Sequence, residues 1–223
     1  MSKIEWDKNG ERLFETGVKN AVVYPMNSTT KKYDTGYAWN GVTGITESPE
    51  GAEATALYAD NIKYLNLYSA EEFKATLEAY MYPPAFETLD GTAEIATGVN
   101  IGQQKRGVFG LSYRTEIGSD LDGNSHGYKL HLIYGCQASP SEKGFSTIND
   151  SPEAISFSWE LTTTPVNVTG KTPTALVTID STKIDAKALE AIEAKLYGTD
   201  DVEPYLPLPD EIVEIVNAAV ANG

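Results

Sequence analysis

The strongest constraint on the fold is an alternation of apolar and polar residues with a period of two. It runs through four segments, 72–82, 108–117, 128–136 and 155–163. A strand that alternates in this way buries one face in a core and leaves the other face in water. Because each segment has one polar face, we expect long antiparallel strands in a mainly β sandwich or part of a barrel.

The alternation also predicts which side chains face the core. These are Phe73, Ala75, Leu77, Ala79 and Met81; Phe109, Leu111, Tyr113 and Ile117; Tyr128, Leu130, Leu132, Tyr134 and Cys136; and Ile155, Phe157, Trp159 and Leu161. The opposite parity, which includes Ser112, His131 and Ile133, is predicted to form the polar face. On that face His131 is expected to be solvated or hydrogen-bonded.

Weaker strands and a few short helices complete the predicted fold. The weaker strands are 18–24, 41–46, 62–68, 93–97 and 174–180. Leu189, Ile192 and Leu196 have helical spacing in 185–197, and Gly198 is a typical stop. A turn of helix is expected at 85–89, after two prolines. A C-terminal helix is expected at about 210–221, with an apolar stripe of Ile212, Val213, Val216 and Val220.

Two segments, 25–40 and 47–61, are too long for tight turns and rich in Thr, Ser, Gly, Asp and Tyr. Loops of this length in a compact domain are often functional. We therefore expect one domain over residues 1–223, with long assembly loops at about 25–61 and a C-terminal helix at about 210–221 that docks on the domain or on a neighbour.

The charge of the chain limits its partners. It has 32 acidic and 17 basic residues, a net charge of −15. Such a surface repels nucleic acids and anionic lipids. Two interpretations remain open: the charge confers solubility, or it forms a surface past which DNA slides without binding. No apolar run reaches the roughly 18 residues of a membrane span, and the polar first residues predict folding in a cytosol.

No motif for catalysis or for binding a metal or cofactor is complete. The chain has two histidines, His126 and His131, one cysteine and no Gly-X-Ser-X-Gly elbow. Segment 120–126 resembles the start of a calcium loop, but Ser125 stands where Gly is needed and His131 where Glu is needed. A hairpin turn explains that segment better. The paired carboxylates Glu78 and Glu160 are expected by chance in so acidic a chain. We therefore expect a protein that is not an enzyme and has no cofactor.

Short phrases along nearly the whole chain carry a family likeness. They are AWNG at 38–41, TESP at 46–49, LYADN at 57–61, GYKLHLIYG at 127–135, SPSEK at 139–143, INDSP at 148–152, FSWE at 157–160, TPV at 164–166 and LPLP at 206–209. In this order they resemble the major tail tube proteins of phages that infect Gram-positive bacteria. Similar tubes occur in phage-tail-like bacteriocins.

The resemblance implies a β-sandwich whose sheets close, around a six-membered ring, into a continuous inner barrel. Such rings stack into a hollow tube in the virion after assembly in the host cytoplasm. The implied partners are other copies of the chain, a tape-measure protein, and the tail tip and tail terminator proteins. DNA would pass through the tube without specific binding, and no membrane partner is implied.

Two sets of residues become candidate functional sites. The first is a set of polar residues expected to line the channel, with Lys74 and Arg114 pairing across strands: Glu72, Lys74, Thr76, Glu78, Ser112, Arg114, Glu116, Ser156, Ser158 and Glu160. The second is a set expected in loops between subunits or rings: Tyr33, Tyr37, Trp39, Tyr58 and Asp60. The alternative function is a stand-alone β-sandwich that binds carbohydrate, with Tyr33, Tyr37 and Trp39 stacking on a sugar ring.

Overall fold

The computed structural model describes residues 3–148, 150 and 153–221, with three helices in this part of the chain. The strands are β1 (Leu13–Pro25), β2 (Tyr37–Ala38), β3 (Val42–Gly51), β4 (Ala54–Ala59), β5 (Ile62–Tyr68), β6 (Glu71–Ala79), β7 (Ala93–Ala96), β8 (Val99–Ile101), β9 (Phe109–Ser119), β10 (Gly123–Ala138), β11 (Phe157–Thr163) and β12 (Leu176–Asp180). The helices are α1 (Pro84–Leu89), α2 (Ala186–Tyr197) and α3 (Pro209–Ala221). The predicted mainly β fold with short helices is confirmed, and the sheet does not close into a barrel.

One antiparallel sheet organises the fold. Its strand order is β2-β1-β9-β10-β11-β6-β3, and β12 also pairs with β10. The long strand β10 joins two halves of this sheet: its first part pairs with β9 and β12, and its last three residues pair with β11. The sheet folds over at this point, so that β3 approaches β1 although the two strands share no backbone ladder among the described residues.

Gly135 makes this change of partner possible. Its φ is +61°, and the register between β9 and β10 shifts between Ile133 and Cys136. A glycine tolerates this left-handed conformation, which lets one extra residue bulge out of a strand. The bulge reverses the alternation, so Cys136 joins Ile133 in the core between the sheet halves. The predicted face of Cys136 is therefore wrong, although its burial is confirmed.

Two hydrophobic cores lie on opposite faces of the first sheet half, formed by β1, β9, β10 and β12. The inner core lies between the two halves and is centred on the aromatic rings of Trp39, Phe86 and Trp159, with centroids 4.4–5.4 Å apart. The helical core lies beneath α2 and α3 and contains Tyr24, Leu132, Tyr134, Ile192 and Leu196 among its buried residues. The first half is thus covered on both faces.

Because α2 and α3 cover the first sheet half, part of the predicted polar face is buried. Ser112 is fully buried beneath this cover and lies 3.2 Å from the hydroxyl of Tyr24. Ile133 is also fully buried, but in the inner core on the other face. Gly110 leaves room for Leu206 and Tyr33, since a Cβ there would lie 2.2 Å from Leu206. The prediction that Ser112 faces solvent is wrong because the C-terminal segments, distant in sequence, cover this side of β9.

The helices follow their sequence signals. The carboxylate of Asp185 caps α2 by accepting hydrogen bonds from the backbone amides of Lys187 and Ala188 at 2.9 and 3.2 Å. Gly198 ends α2 with a φ of +78°. On α3, Ile212 is buried as predicted, whereas Val213 is exposed and Ile215 packs on the helical core instead. The side chain of Val220 lies outside the described residues.

The five weaker strands are confirmed by overlap with β1, β3, β5, β7 and β12, and β5 has the predicted bounds. Met81 is exposed rather than buried because β6 ends at Ala79. The strand predicted to begin at Ile155 begins at Phe157. Segment 47–61 is not a loop: it contains the end of β3 and all of β4, which pairs with β5 in a separate two-stranded sheet.

Candidate functional site

The polar face of β3, β6 and β11 brings together most of the residues predicted to line a channel. Glu72, Lys74, Thr76 and Glu78 alternate along β6 with the buried Ala75 and Leu77. On β11, Ser158 lies opposite Glu78 and Glu160 lies opposite Thr76. Ser156 is exposed just before this strand. These side chains form one continuous solvated surface, here called the acidic face.

The edge strand β3 adds a residue to the acidic face that the sequence did not reveal. The ammonium of Lys74 donates a hydrogen bond to the Glu50 carboxylate at 2.5 Å, and this bond raises the pKa of Lys74. The predicted cross-strand pairing of Lys74 is therefore confirmed. Glu50 is not among the predicted channel residues because segment 47–61 is predicted to be a loop. No ion pair within 4.0 Å joins Glu72, Glu78 or Glu160 to a basic residue in the described part of the chain.

The three predicted channel residues of β9 lie elsewhere. Ser112 is buried, and Arg114 and Glu116 follow it on the face of the first sheet half that carries the helices. The guanidinium of Arg114 lies 3.4 Å from the centre of the Tyr128 ring, a cation–π contact rather than the predicted cross-strand ion pair. Glu116 pairs with Lys19 of β1, and this hydrogen bond lowers the pKa of Glu116.

The five predicted contact residues also divide into two groups. Tyr33 and Trp39 are 5% and 4% exposed, so their prediction as surface contacts is wrong. The Tyr33 hydroxyl accepts a hydrogen bond from the amide of Gly135 at 2.9 Å, and the indole N–H of Trp39 donates to the carbonyl of Met81 at 2.8 Å. Because both rings are held in the cores, they form no exposed platform with Tyr37. Tyr37, Tyr58 and Asp60 are exposed.

Tyr58 and Asp60 belong to a β-hairpin, here called the projecting hairpin (residues 54–68). Its strands β4 and β5 pair with each other and form a sheet separate from the main one. Asp60 and Asn61 both have positive φ, 50° and 63°, as a tight two-residue hairpin turn requires. Seven large hydrophobic side chains of the hairpin are exposed: Leu57, Tyr58, Ile62, Tyr64, Leu65, Leu67 and Tyr68.

A hydrogen-bonded cluster bridges the space between β1 and β3 where no ladder joins them. The cluster, here called the clasp, consists of Glu15 on β1, Glu47 on β3, Tyr113 and Thr115 on β9, and His131 on β10. The His131 ring lies 2.9 Å from Glu47 through Nδ1 and 3.0 Å from Thr115 through Nε2, and it stacks on Tyr113 with centroids 4.6 Å apart. The predicted hydrogen bonding of His131 is confirmed.

Electrostatics in the clasp favour charged carboxylates. The hydrogen bond from His131 lowers the pKa of Glu47, and the Tyr113 hydrogen bond adds to this effect against the opposing effect of burial. Burial raises the pKa of Glu15, but hydrogen bonds from Lys129 and Thr115 outweigh it and lower the pKa overall. Burial, followed by the neighbouring Glu47, raises the pKa of Tyr113, which remains a neutral donor.

Two further features of the described surface are a turn and a cleft. Segment 120–126 forms the turn between β9 and β10, as expected, and His126 lies 2.9 Å from Asp122 there. A cleft of about 640 Å³ lies between residues 32–35 and 203–211. Within residues 3–148, 150 and 153–221, no group of three or more His, Cys, Asp or Glu side chains is placed to hold a metal ion. No helix in this part of the chain is long and apolar enough to cross a membrane.

Comparison with known protein families and with curated proteins gave no match to the chain. The function is therefore inferred from the geometry of the described residues and from the short sequence segments given above.

Proposed function

We propose that the chain is the structural subunit of a phage tail tube, which polymerises as stacked hexameric rings into a hollow conduit for DNA delivery. It acts in the virion after assembly in the host cytoplasm, together with tape-measure, tail tip and tail terminator proteins. The observation that carries this proposal is the projecting hairpin, an apolar two-stranded sheet that pairs with no further strand in the described chain.

The hairpin requires a partner for physical reasons. An isolated two-stranded hairpin is marginally stable in water unless a hydrophobic face packs against something. Leu57 lies opposite Leu65, and Leu67 continues the same face of the ribbon. All three leucines are exposed. An exposed apolar patch of this kind typically marks a site of protein association.

The charge of the hairpin favours another copy of the chain as the partner. Copies that each carry a net charge of −15 repel one another wherever their acidic surfaces meet. The hairpin contains one acidic residue, Asp60, and one basic residue, Lys63. It is thus a neutral, apolar surface on a strongly acidic molecule, and association through it avoids the repulsion.

The acidic face suits the wall of a conduit. It presents the carboxylates of Glu50, Glu72, Glu78 and Glu160 against one lysine, Lys74. A surface with this excess of negative charge repels the DNA backbone and gives it no apolar contact. Screening limits this repulsion to about 8 Å at physiological salt, so the face acts on DNA only from the channel wall itself.

Negative-stain electron microscopy of the purified protein at high concentration tests the proposal. We expect rings or hollow tubes, formed spontaneously or after seeding with tail tips. Leu67→Lys should prevent assembly because it places a charge on the apolar face of the hairpin. Val202→Lys is the matched control, since Val202 is similarly exposed, at 44% against 54%, but lies outside the hairpin. Protein that stays monomeric with seeds contradicts the proposal, as does assembly of Leu67→Lys.

The alternative function is a carbohydrate-binding module. Of the three aromatic residues predicted to stack on a sugar ring, Tyr37 is exposed. This alternative predicts a monomer that is saturated by a glycan and loses binding in Tyr37→Ala. Titration calorimetry with soluble glycans on the monomeric protein distinguishes the two functions, because a tube subunit assembles without any ligand.

A further inference from the structure

The clasp lies where β1 and β3 approach each other without a backbone ladder among the described residues. On one side are β1, β9 and β10, which carry Glu15, Thr115 and His131. On the other side is the edge strand β3, whose Glu47 points inward beside Ile45, because both residues pair with buried positions of β6. Whatever holds Glu47 therefore holds the free edge of β3 against the first sheet half.

The hydrogen bonds of the clasp define the protonation state of His131. Thr115 donates its single hydroxyl proton to Glu15 at 2.6 Å, so its oxygen accepts at the 3.0 Å contact with Nε2 of His131. Nδ1 faces an oxygen of Glu47 that accepts only, because the carboxylate is charged. Both ring nitrogens must therefore donate, which only the imidazolium can do.

Neither neutral tautomer preserves this chain of hydrogen bonds. With the proton on Nε2, the lone pair of Nδ1 faces the Glu47 carboxylate, so His131 no longer holds β3 and Tyr113 remains as a donor to Glu47. With the proton on Nδ1, the Thr115 hydroxyl must turn toward Nε2 and release Glu15. Loss of the positive charge also leaves two carboxylates, Glu15 and Glu47, without the cation between them.

We propose that Glu15, His131 and Glu47 form a proton-dependent clasp, in which the His131 imidazolium closes the seam between β1 and β3 and its deprotonation weakens the attachment of the edge of β3.

The surrounding groups fix the direction of the pH effect. Lys129 on β10 pairs with Glu15, and Tyr113 on β9 donates to Glu47, so both carboxylates keep their charge when His131 loses its proton. Among the described residues, the charged groups that face the ring within 4.0 Å are these two carboxylates, Glu15 and Glu47. A rise in pH removes the histidine charge alone, and the net repulsion across the seam increases.

Hydrogen exchange of a peptide that covers β3 measures the opening of the seam. After correction for intrinsic exchange rates, we expect opening of β3 to increase about tenfold between about pH 6 and about pH 8.5, the factor that one lost charge-assisted hydrogen bond produces. A peptide that covers β12 in the other half should show no such change. In His131→Gln the increase should be absent, since glutamine stays neutral over this range. His126→Gln should keep the increase, because His126 pairs with Asp122 at the β9–β10 turn, outside the clasp.

Ring ¹⁵N chemical shifts of the wild-type protein provide a second measurement that does not depend on a variant folding. We expect both nitrogens of His131 to carry protons at about pH 6, with each resonance coupled to a proton in a hydrogen bond. A single protonated nitrogen at that pH overturns the proposal. So does equal opening of β3 at the two pH values in wild-type protein.

Discussion

The bulge at Gly135 should be the least substitutable point of the main sheet, and Gly135→Ala tests it. Gly135 has a φ of +61°, and a Cβ built on it lies 2.2 Å from the backbone oxygen of Thr164. Gly123 provides a matched control in the same strand. Its φ is +57°, and a Cβ there has nothing within 4 Å.

Two contributions determine how much each glycine-to-alanine substitution lowers the free energy of unfolding. Either substitution puts a side chain on a left-handed residue, at about 1–2 kcal/mol, and restricts the unfolded chain, which restores about 0.4–1 kcal/mol. At Gly135 the clash also forces the two backbones apart and disrupts the 3.0 Å hydrogen bond from the Thr164 amide to the Gly135 carbonyl. A broken buried hydrogen bond adds about 1–3 kcal/mol. We expect a loss of about 2–4 kcal/mol for Gly135→Ala and about 1 kcal/mol for Gly123→Ala.

Urea denaturation of the monomeric protein, followed by tryptophan fluorescence, measures both losses. Trp159 is fully buried in the inner core, so its emission reports the disruption of the sheet junction. Equal losses of stability in the two variants would show that β10 does not need the close approach of Thr164, and the explanation of the bulge given above would then be wrong.

Three further predictions concern buried charges and a buried thiol. Asp90→Asn should destabilise the fold by about 1.5–3 kcal/mol, because the Asp90 carboxylate pairs with Arg106 at 2.6 Å and with Lys143 at 2.7 Å. Urea denaturation should show no comparable loss for Asp200→Asn, since Asp200 is exposed. The pKa of Glu47 is lowered, so the stabilisation from its charge should be complete above the ordinary pKa of 4.5 and lost as pH falls through the lower pKa of the folded protein. In thermal melts, Glu47→Gln should reduce this loss of stability at acid pH. At neutral pH the variant should lower the free energy of unfolding by about 1–2 kcal/mol. Burial raises the pKa of the Cys136 thiol, so it should react with a disulfide reagent only in denaturant, and rapid labelling of native protein would contradict its position in the inner core.

Local patterns predicted those elements whose environment is uniform along their length. In β6 the alternation holds from Phe73 to Ala79 because one side of the strand faces the inner core and the other faces solvent throughout. The cap and stop of α2, at Asp185 and Gly198, depend on chemistry within one turn of the helix. Such signals need no knowledge of distant segments, and the acidic face on β6 and β11 could therefore be predicted from the sequence.

The parts that were missed depend on contacts between distant segments. Ser112 has the parity of a solvated residue, but it contacts Tyr24, whose hydroxyl donates to the carbonyl of Leu196 in α2, and neither residue is near Ser112 in sequence. Tyr33 and Trp39 lie in a segment with loop composition, and they are buried because the cores have space for their rings. The strand β4 has weak alternation of its own, and its pairing with β5 defines it.

The predicted channel residues lie on two separate surfaces, and this limits which surface of the subunit can line the proposed conduit. A wall that DNA passes must be one continuous surface, and the residues of β9 cannot share it with those of β6 and β11, because the inner core lies between the two sheet halves. Arg114 is also occupied by its contact with Tyr128, beside α2. If the tube forms as proposed, the acidic face has to line the channel, with Glu50 replacing Glu116 in the set of wall carboxylates. The helices α2 and α3 then lie on the opposite side of each subunit, toward the outside of the tube.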